Sequence, residues 1–259
     1  LLVVLSTAVG LCALGLVFGL SGIMRTRMAA DYQASRPAHI TLWSDSFDQE
    51  AVDAIRRQRG VVEMEGETYV PVRWKLPGES EWRNGSLIAR TNYEAQRMNV
   101  LSLLSGRWPD ARSLAAERQS ERYYGTGLGA TIILQVGQRE ERLTISGIVR
   151  MPSVFPPQFG GPATFFITPQ NLRRLTGVTD PNQMDIRLPA YDKTSANDLA
   201  KQIERRLQRL GQPSAGYAVS DPSVHWMQDN MNTLFLILTV LGALSLGLSA
   251  FLIINTLNA

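Results

Sequence analysis

The sequence predicts a membrane protein of the α+β class. Two transmembrane helices, extended as a stalk, bracket a discontinuous ferredoxin-like layer, and that layer carries an inserted mixed α/β block. Three observations predict this. Residues Leu1 to Met24 and Thr233 to Ala259 contain no Asp, Glu, Lys or Arg, and every charged side chain lies between Arg25 and Asp229. A β-α-β order occurs near each end of the charged region. Between the two copies runs a Gly- and Pro-punctuated stretch with β-forming runs of its own.

The chargeless ends come first. Roughly 20 apolar residues at about 1.5 Å rise per residue cross a hydrocarbon core of about 30 Å. A charge at the bilayer centre costs at least ~2.5 kcal/mol, so its total absence at both ends is a specific signal. The first run outlasts a signal-peptide core of about 7–15 residues, lacks a basic leader and is not followed by a clear small-residue cleavage site. Residues 1–24 are therefore expected to form the first transmembrane helix and 233–259 the second. The chain starts at Leu1 and stops at Ala259 without a polar flank, as a piece of a longer protein would. Cys12, the sole cysteine, sits in the first span, so no disulfide forms within the chain.

Both helices are expected to continue past the membrane. Residues 25–36 lack Gly and are rich in helix formers up to Pro37, with Met24, Met28 and Tyr32 on one stripe. At the other end Ser220 or Asp221 is expected to cap a stalk helix over 222–232, with Pro222 at its first position. Val224, Met227, Met231 and Leu234 share its face, and Trp226 sits at the headgroup level. The seven residues Met24, Met28, Tyr32, Val224, Met227, Met231 and Leu234 are the candidate stalk-packing set.

The first half of the layer, 37–92, opens with a strand at His39–Trp43. A helix follows over Phe47–Arg59, with Phe47, Ala51 and Ile55 inward and Gly60 closing it. Val61–Trp74 reads as extended but broken at Glu65-Gly66 and Pro71. After a Pro77-Gly78 turn, Trp82–Arg90 reads as extended but interrupted by Gly85. The second half, 178–221, repeats the order. Gln183–Leu188 is a strand. Ser195–Leu210 is a helix with Leu199, Ile203, Leu207 and Leu210 inward and Arg205, Arg206 and Arg209 outward. Gly216–Val219 is a strand after Gly211. Two such halves pair as one ferredoxin-like layer. The insert, 93–177, is expected to begin with a short helix. A second helix runs over Ser113–Tyr124, strands over Thr131–Val136, Leu143–Val149 and Ala163–Ile167, and a last helix over Pro169–Leu175.

The chemistry of catalysis is not legible here. Gly125-Thr126-Gly127-Leu128-Gly129 lacks the Lys of a phosphate-binding loop and is followed by β-branched residues, so it reads as a tight helix-to-strand connection. His39 and His225 have no neighbouring carboxylate pair at metal-ligand spacing. The net charge of +3 mixes both signs, with no basic cluster interleaved with aromatics, so nucleic acid is not an expected partner. The expectation is a non-enzymatic, membrane-tethered chain with no catalytic, cofactor or metal residues.

Several phrases carry a family resemblance. Leu104-Ser105-Gly106-Arg107-Trp108-Pro109 is similar to the "l-x-G-R-x-P" of MacB/FtsX-like ABC transporter permeases. Tyr124 to Gly129 followed by Thr131-Ile132-Ile133-Leu134, then Leu143 to Val149, resembles their "G-x-x-I-x-L … f-x-V-x-G-I-V". Phe165-Phe166-Ile167 with Leu172 to Gly177 resembles "f-v-x-l-x-x-l-x-x-L-t-G", and Gly247 to Ala259 the start of an FtsX-like membrane domain.

The resemblance implies a MacB-like periplasmic core domain whose discontinuous part is a "porter" subdomain and whose insert is a "sabre". It further implies a permease in the bacterial inner or plasma membrane with the central domain extracytoplasmic. ATP and Mg would be held by a separate or fused ATPase. A second permease copy or paralogue, and an extracytoplasmic adaptor or substrate protein, would be further partners. Mechanotransmission is the implied mechanism. The alternative is a two-helix membrane receptor with a ligand-sensing domain, although Asn255 and Asn258 lie in an uninterrupted apolar run where a receptor would soon show charge. Arg25 and Arg27 oppose the outside assignment, since positive flanks favour the cytoplasmic side, but long translocated domains largely escape that rule.

Overall fold

The computed structural model describes residues 26–225 and 227–258, together with 22–24 and positions 15 and 19. They divide into two compact units, Gln33–Pro222 and a unit made of the chain's two ends, up to Tyr32 and from Ser223 onward. The first expected span, 1–24, and Trp226 lie almost wholly outside the described residues. Helix α1, residues 26–34, ends in a turn at Ser35, two residues before Pro37. Proline cannot continue a helix and restricts the residue before it.

Strand β1 (Ile40–Trp43) leads to helix α2 (Gln49–Arg56). The helix is shorter than its periodicity predicted, because Asp48 caps it, accepting from the Ala51 N–H at 2.8 Å. Phe47 is buried ahead of the cap. Strand β2 (Glu63–Lys75) runs through both expected breaks. At Gly66 a Cβ would stand 3.1 Å from Pro181 Cβ and 3.3 Å from Met184 Cε, so this glycine marks a close crossing rather than a turn. Pro71 falls where β2 has a partner on one edge only, so its missing N–H costs no ladder bond. Strand β3 (Arg83–Arg90) is also continuous. Its Gly85 makes room for Trp74, whose Cδ1 would lie 2.7 Å from a Cβ there.

The insert holds the main corrections. Residues 91–101 contain no helix, and β4 (Ser102–Gly106) follows them. Ser113–Glu117, expected as the start of a helix, is strand β5, and only Arg118–Tyr124 is helix, α3. All five β5 residues are buried. A strand covered on both faces shows a continuous apolar run, which periodicity cannot separate from helix. Helix α3 is capped by Glu117 in front and by left-handed Gly125 behind. Then come β6 (Thr131–Val136), β7 (Arg139–Arg150), β8 (Ala163–Ile167) and α4 (Pro169–Thr176). Strand β9 (Gln183–Arg187), helix α5 (Lys193–Arg209) and strand β10 (Gly216–Val219) complete the unit. Leu210 is the C-cap of α5 and is 37% exposed, not inward as its spacing predicted.

The strands form one sheet in the order β10-β1-β9-β2-β3-β8-β5-β7-β4, with β6 pairing β2 and β7. In the first four every neighbour is antiparallel. Strand β9 therefore sits between β1 and β2, and β1 between β9 and β10, so each β-α-β unit straddles a strand of the other. Beneath α2 and α5 lies a core that includes Ile40, Leu42, Phe47, Ile55, Ile186 and Ile203. Burying each contributes about 1.5–3 kcal/mol. The second core includes Trp74, Leu87, Leu114, Ile132, Leu134 and Phe165, with Trp74 edge-on to Phe165 at 5.2 Å. Ile88, Ala115 and Phe166 alternate with these along the same strands and pack a third cluster on the opposite face.

In the end unit, helix α6 spans Gln228–Asn258. Within it Asn230–Asn255 is, among the described residues, the one helix long and apolar enough to cross a membrane. Regular helix begins at Gln228, not at Pro222. The Ser220 N–H is committed to the His39 carbonyl at 3.0 Å, extending the β1–β10 pairing, and residues 222–223 make a turn. His225 supplies the cap instead, its Nδ1 accepting from the Met227 N–H at 3.1 Å.

Candidate functional site

Strands β2 and β3 carry the sheet from the part under α2 and α5 into the insert, and the seam there is polar. Thr41 on β1, Asp185 on β9 and Glu65 on β2 stand side by side across three strands. They alternate with the Ile40–Ile186–Met64 row that faces the helices, so they occupy the uncovered face of the layer. Two residues along, Glu67 lies directly opposite Arg90 at the end of β3, and the two form an ion pair. Glu67, Arg90 and Asp185 are 5%, 4% and 1% exposed.

Residues 91–101, between β3 and β4, close over this face. Arg90 Nη1 donates to Gln96 Oε1 (3.1 Å) and to the carbonyls of Met98 (3.3 Å) and Asn99 (3.0 Å). The Glu65 carboxylate accepts from the Arg97 N–H at 2.6 Å. Asp185 accepts from Thr41 Oγ1 at 2.8 Å and from Asn99 Nδ2 at 2.7 Å. Asn99 is the hub. Its backbone N–H reaches the Arg36 carbonyl at 3.1 Å, and its neighbour Val100 donates to the Ser35 carbonyl at 2.7 Å. Asn99 has φ +45, a left-handed conformation that asparagine tolerates better than most residues. Arg36, at φ +53, is a costlier choice, and its guanidinium is held by both Glu63 oxygens at 2.9 Å. One residue thus ties the segment following α1 to the opening of the insert and to β9.

Two buried carboxylates lie near one guanidinium here: Glu67 pairs with Arg90, and Asp185 feels its charge without touching it. Burial pushes Glu67 up to about 7; the Arg90 charge opposes the shift without cancelling it, and Asp185 and Glu65 add to it. Asp185 is raised for the same leading reason, against hydrogen bonds from Thr41 and Asn99. The arrangement suits a clasp whose strength depends on its proton count. None of these residues was singled out from sequence. The available signal was a charged residue inside an apolar run, as in Met184-Asp185-Ile186.

The family phrases meet in space. Gly106 on β4 pairs Gly147 on β7. A Cβ on either would come within 2.3 Å of a backbone oxygen across the pair, Ser146 or Arg107. Trp108 stacks on Tyr93 at 5.3 Å. The Gly125–Gly129 stretch caps α3 and turns the chain into β6, with the Gly129 N–H on the Ile145 carbonyl at 2.9 Å.

In the end unit, Met24, Met28 and Met231 line one small cavity together with Gln228 and Phe235. Tyr32 is buried with its ring edge-on to His225, centroids 5.1 Å apart. Met227 is half-buried, while Val224 and Leu234 are 39% and 48% exposed. Gln228 and Phe235 flank Met231 at helical spacing and were legible from it, whereas the His225 cap was not. His39 in the other unit accepts from the Leu188 N–H at 3.1 Å through Nδ1, and burial holds its pKa below the usual value. Among the described residues no three His, Cys, Asp or Glu are placed to hold a metal ion.

No curated protein matches the chain. Similar solved structures include the extracellular domain of the noncanonic ABC-type transporter YknZ from Gram-positive bacteria, at 13% identity and TM-score 0.46 over 71% of this chain and 100% of that one. The periplasmic region of MacB from Actinobacillus actinomycetemcomitans is similar at 12% identity and TM-score 0.47, over 75% and 91% of the two chains. A domain of a putative permease protein from Porphyromonas gingivalis is similar at 14% identity and TM-score 0.43, over 73% and 91%. The family described as MacB-like periplasmic core domain matches residues 1–206, well over half of the sequence. The chain belongs to that family, as its resemblance to MacB/FtsX-like ABC transporter permeases implied.

Proposed function

We propose that the chain is the permease part of a MacB/FtsX-type ABC transporter. It couples ATP hydrolysis by a cytoplasmic ATPase to movement of an extracytoplasmic domain, for export or extraction of a substrate. Residues 37–92 and 178–221 are the porter, 93–177 the sabre, and 25–36 with 222–232 the stalk between spans 1–24 and 233–259. The interleaved antiparallel order β10-β1-β9-β2 supports the porter assignment. The ATPase, a second permease copy and an extracytoplasmic adaptor or substrate protein are the proposed partners in the cell membrane.

The observation that carries this reading is the Asn99 clasp. A displacement of residues 35–38, which directly follow α1, reaches the insert through the Ser35–Val100 and Arg36–Asn99 hydrogen bonds and reaches β9 through Asn99–Asp185. Each such bond contributes about 1 kcal/mol, so a state difference of a few kcal/mol suffices to move the clasp as a unit. The test is a helix break in the proposed levers. Met28→Pro or Met231→Pro, reconstituted with the partner ATPase, is expected to retain ATPase binding and lose ATP-driven transport. Transport at the unaltered rate in both variants would overturn the lever mechanism. Protease cleavage of the central unit in intact spheroplasts checks the topology.

A further inference from the structure

Folding brings two arginine clusters together from segments far apart in sequence. Arg56, Arg57 and Arg59 lie at and just beyond the end of α2, and Arg205, Arg206 and Arg209 in the last turns of α5. Gln58 zips the two helices, donating to Gln202 Oε1 at 3.3 Å and accepting from Arg206 Nη1 at 3.2 Å. Two of the acids near this surface are already engaged. Asp53 answers Arg56 (3.0 Å) and Arg57 (3.5 Å), and Glu204 accepts from the Ser214 hydroxyl at 2.9 Å. Among the described residues, Arg59, Arg205, Arg206 and Arg209 have no carboxylate within ion-pair distance. A shallow groove between the helices is lined by Gln58, Gln202, Arg205, Gln208 and Arg209. Every one of these side chains carries N–H donors and none is acidic.

We propose that this groove binds a phosphate group, with Arg205 and Arg209 as its two forks. The two residues are four apart on α5, so their side chains flank one spot on the helix surface. Guanidinium forks pair phosphate oxygens bidentately, Arg209 through its Nη edge because its Nε is held by the Arg205 carbonyl at 3.3 Å, and the Gln202 and Gln208 amides add further donors. That supply exceeds what the two oxygens of a carboxylate accept and suits a tetrahedral oxyanion. Two sources present this chemistry, a lipid headgroup and a free phosphate compound. Arginine near a helix C-terminus also complements the helix dipole, but that role needs only charge and is met equally by lysine.

The test uses the full chain in phosphatidylcholine nanodiscs at fixed salt. Inorganic pyrophosphate is titrated calorimetrically, and flotation with phosphatidylglycerol-containing vesicles is scored separately. Binding in the first arm assigns a soluble phosphate ligand, and binding in the second alone assigns a headgroup. The Arg205→Gln/Arg209→Gln variant is expected to weaken whichever binding is seen at least about tenfold. Arg205→Lys/Arg209→Lys is expected to keep the melting temperature and still lose several-fold in affinity, because the fork is gone. Arg139→Gln/Arg142→Gln, on the β6–β7 hairpin, removes the same charge and is expected to change binding by less than about twofold. No binding in either arm overturns the proposal. So does an equal loss in the hairpin variant, which would mean diffuse attraction to a basic protein.

Discussion

Ile40, Leu42, Phe47 and Ile186 are at most 1% exposed in the core under α2 and α5, and Asp185, on the opposite face of the same β9 strand, is 1% exposed too. Equal burial conceals different physics. Apolar burial is non-directional and indifferent to pH and partner. The seam holds Glu67, Arg90 and Asp185 only while each finds a counter-charge or donor, since a buried charge without one is among the costliest things in a fold. The core makes the layer rigid. The seam makes the join between layer and insert conditional on a few hydrogen bonds and on protonation.

The comparison breaks most visibly at Arg90. Arg90→Met leaves Glu67 and Asp185 buried without their cation, and the expected loss near neutral pH is about 3–5 kcal/mol. Phe165→Ala, in the apolar core of the insert, is expected to lose a similar amount, about 3–5 kcal/mol, by opening a cavity. Urea unfolding of the full chain in detergent, followed by tryptophan fluorescence at pH 5 and pH 8, separates the two. The Arg90 loss should shrink at the lower pH, where the carboxylates take up protons, while the Phe165 loss should stay constant. A loss at Arg90 that is independent of pH would mean that the seam behaves as ordinary packing.

The same contrast governs what could be read in advance. The amphipathic helices over Ala51–Ile55 and Leu199–Leu207 announce a one-sided core through their spacing, and both are where that spacing placed them. Strand β5 was misread because Leu114, Ala115 and Ala116 face apolar neighbours on both sides, which removes the alternation that marks a strand. Gly66, Pro71 and Gly85 were read as breaks. They serve close crossings and an unpaired edge, features of the tertiary structure that no local window contains. The seam was invisible for a related reason. Glu67 and Arg90 are partners across β2 and β3, while Asp185 reaches them from a strand almost a hundred residues later.

A smaller effect follows in the unaltered chain. Glu67 is raised from 4.5 to about 7 by burial, so the folded state binds its proton more tightly than the unfolded state. Its contribution is therefore complete below pH 4.5 and is lost as pH rises toward about 7. Over that window stability should fall by no more than about 3 kcal/mol. Glu67→Gln should flatten this slope, and Asp185, raised for the same reason, should leave a residual slope of the same sign. A wild-type chain whose stability climbs steadily from pH 5 to pH 7 would contradict the assignment.

The smallest expected effect has the opposite sign and sharpens the contrast from the surface. Glu79 lies in the turn between β2 and β3, where its carboxylate pairs with Arg83 and accepts from the Leu76 N–H at 3.0 Å. Those bonds, the Arg83 bond first, lower its pKa from 4.5 to about 2. A lowered carboxylate stabilises above its unfolded pKa, and the contribution is lost as pH falls toward about 2, the reverse of Glu67. Its side chain is 33% exposed and Arg83 is 28% exposed, so water and salt screen the pair. Glu79→Gln should accordingly cost at most about 1 kcal/mol at neutral pH and nothing below the acid limb. Raising the salt concentration should erase most of that difference, while the Arg90→Met loss at the dry seam should scarcely respond to salt. If both variants respond alike, the seam is wetter than its burial implies, and the clasp at Asn99 loses its claim to a low-dielectric setting.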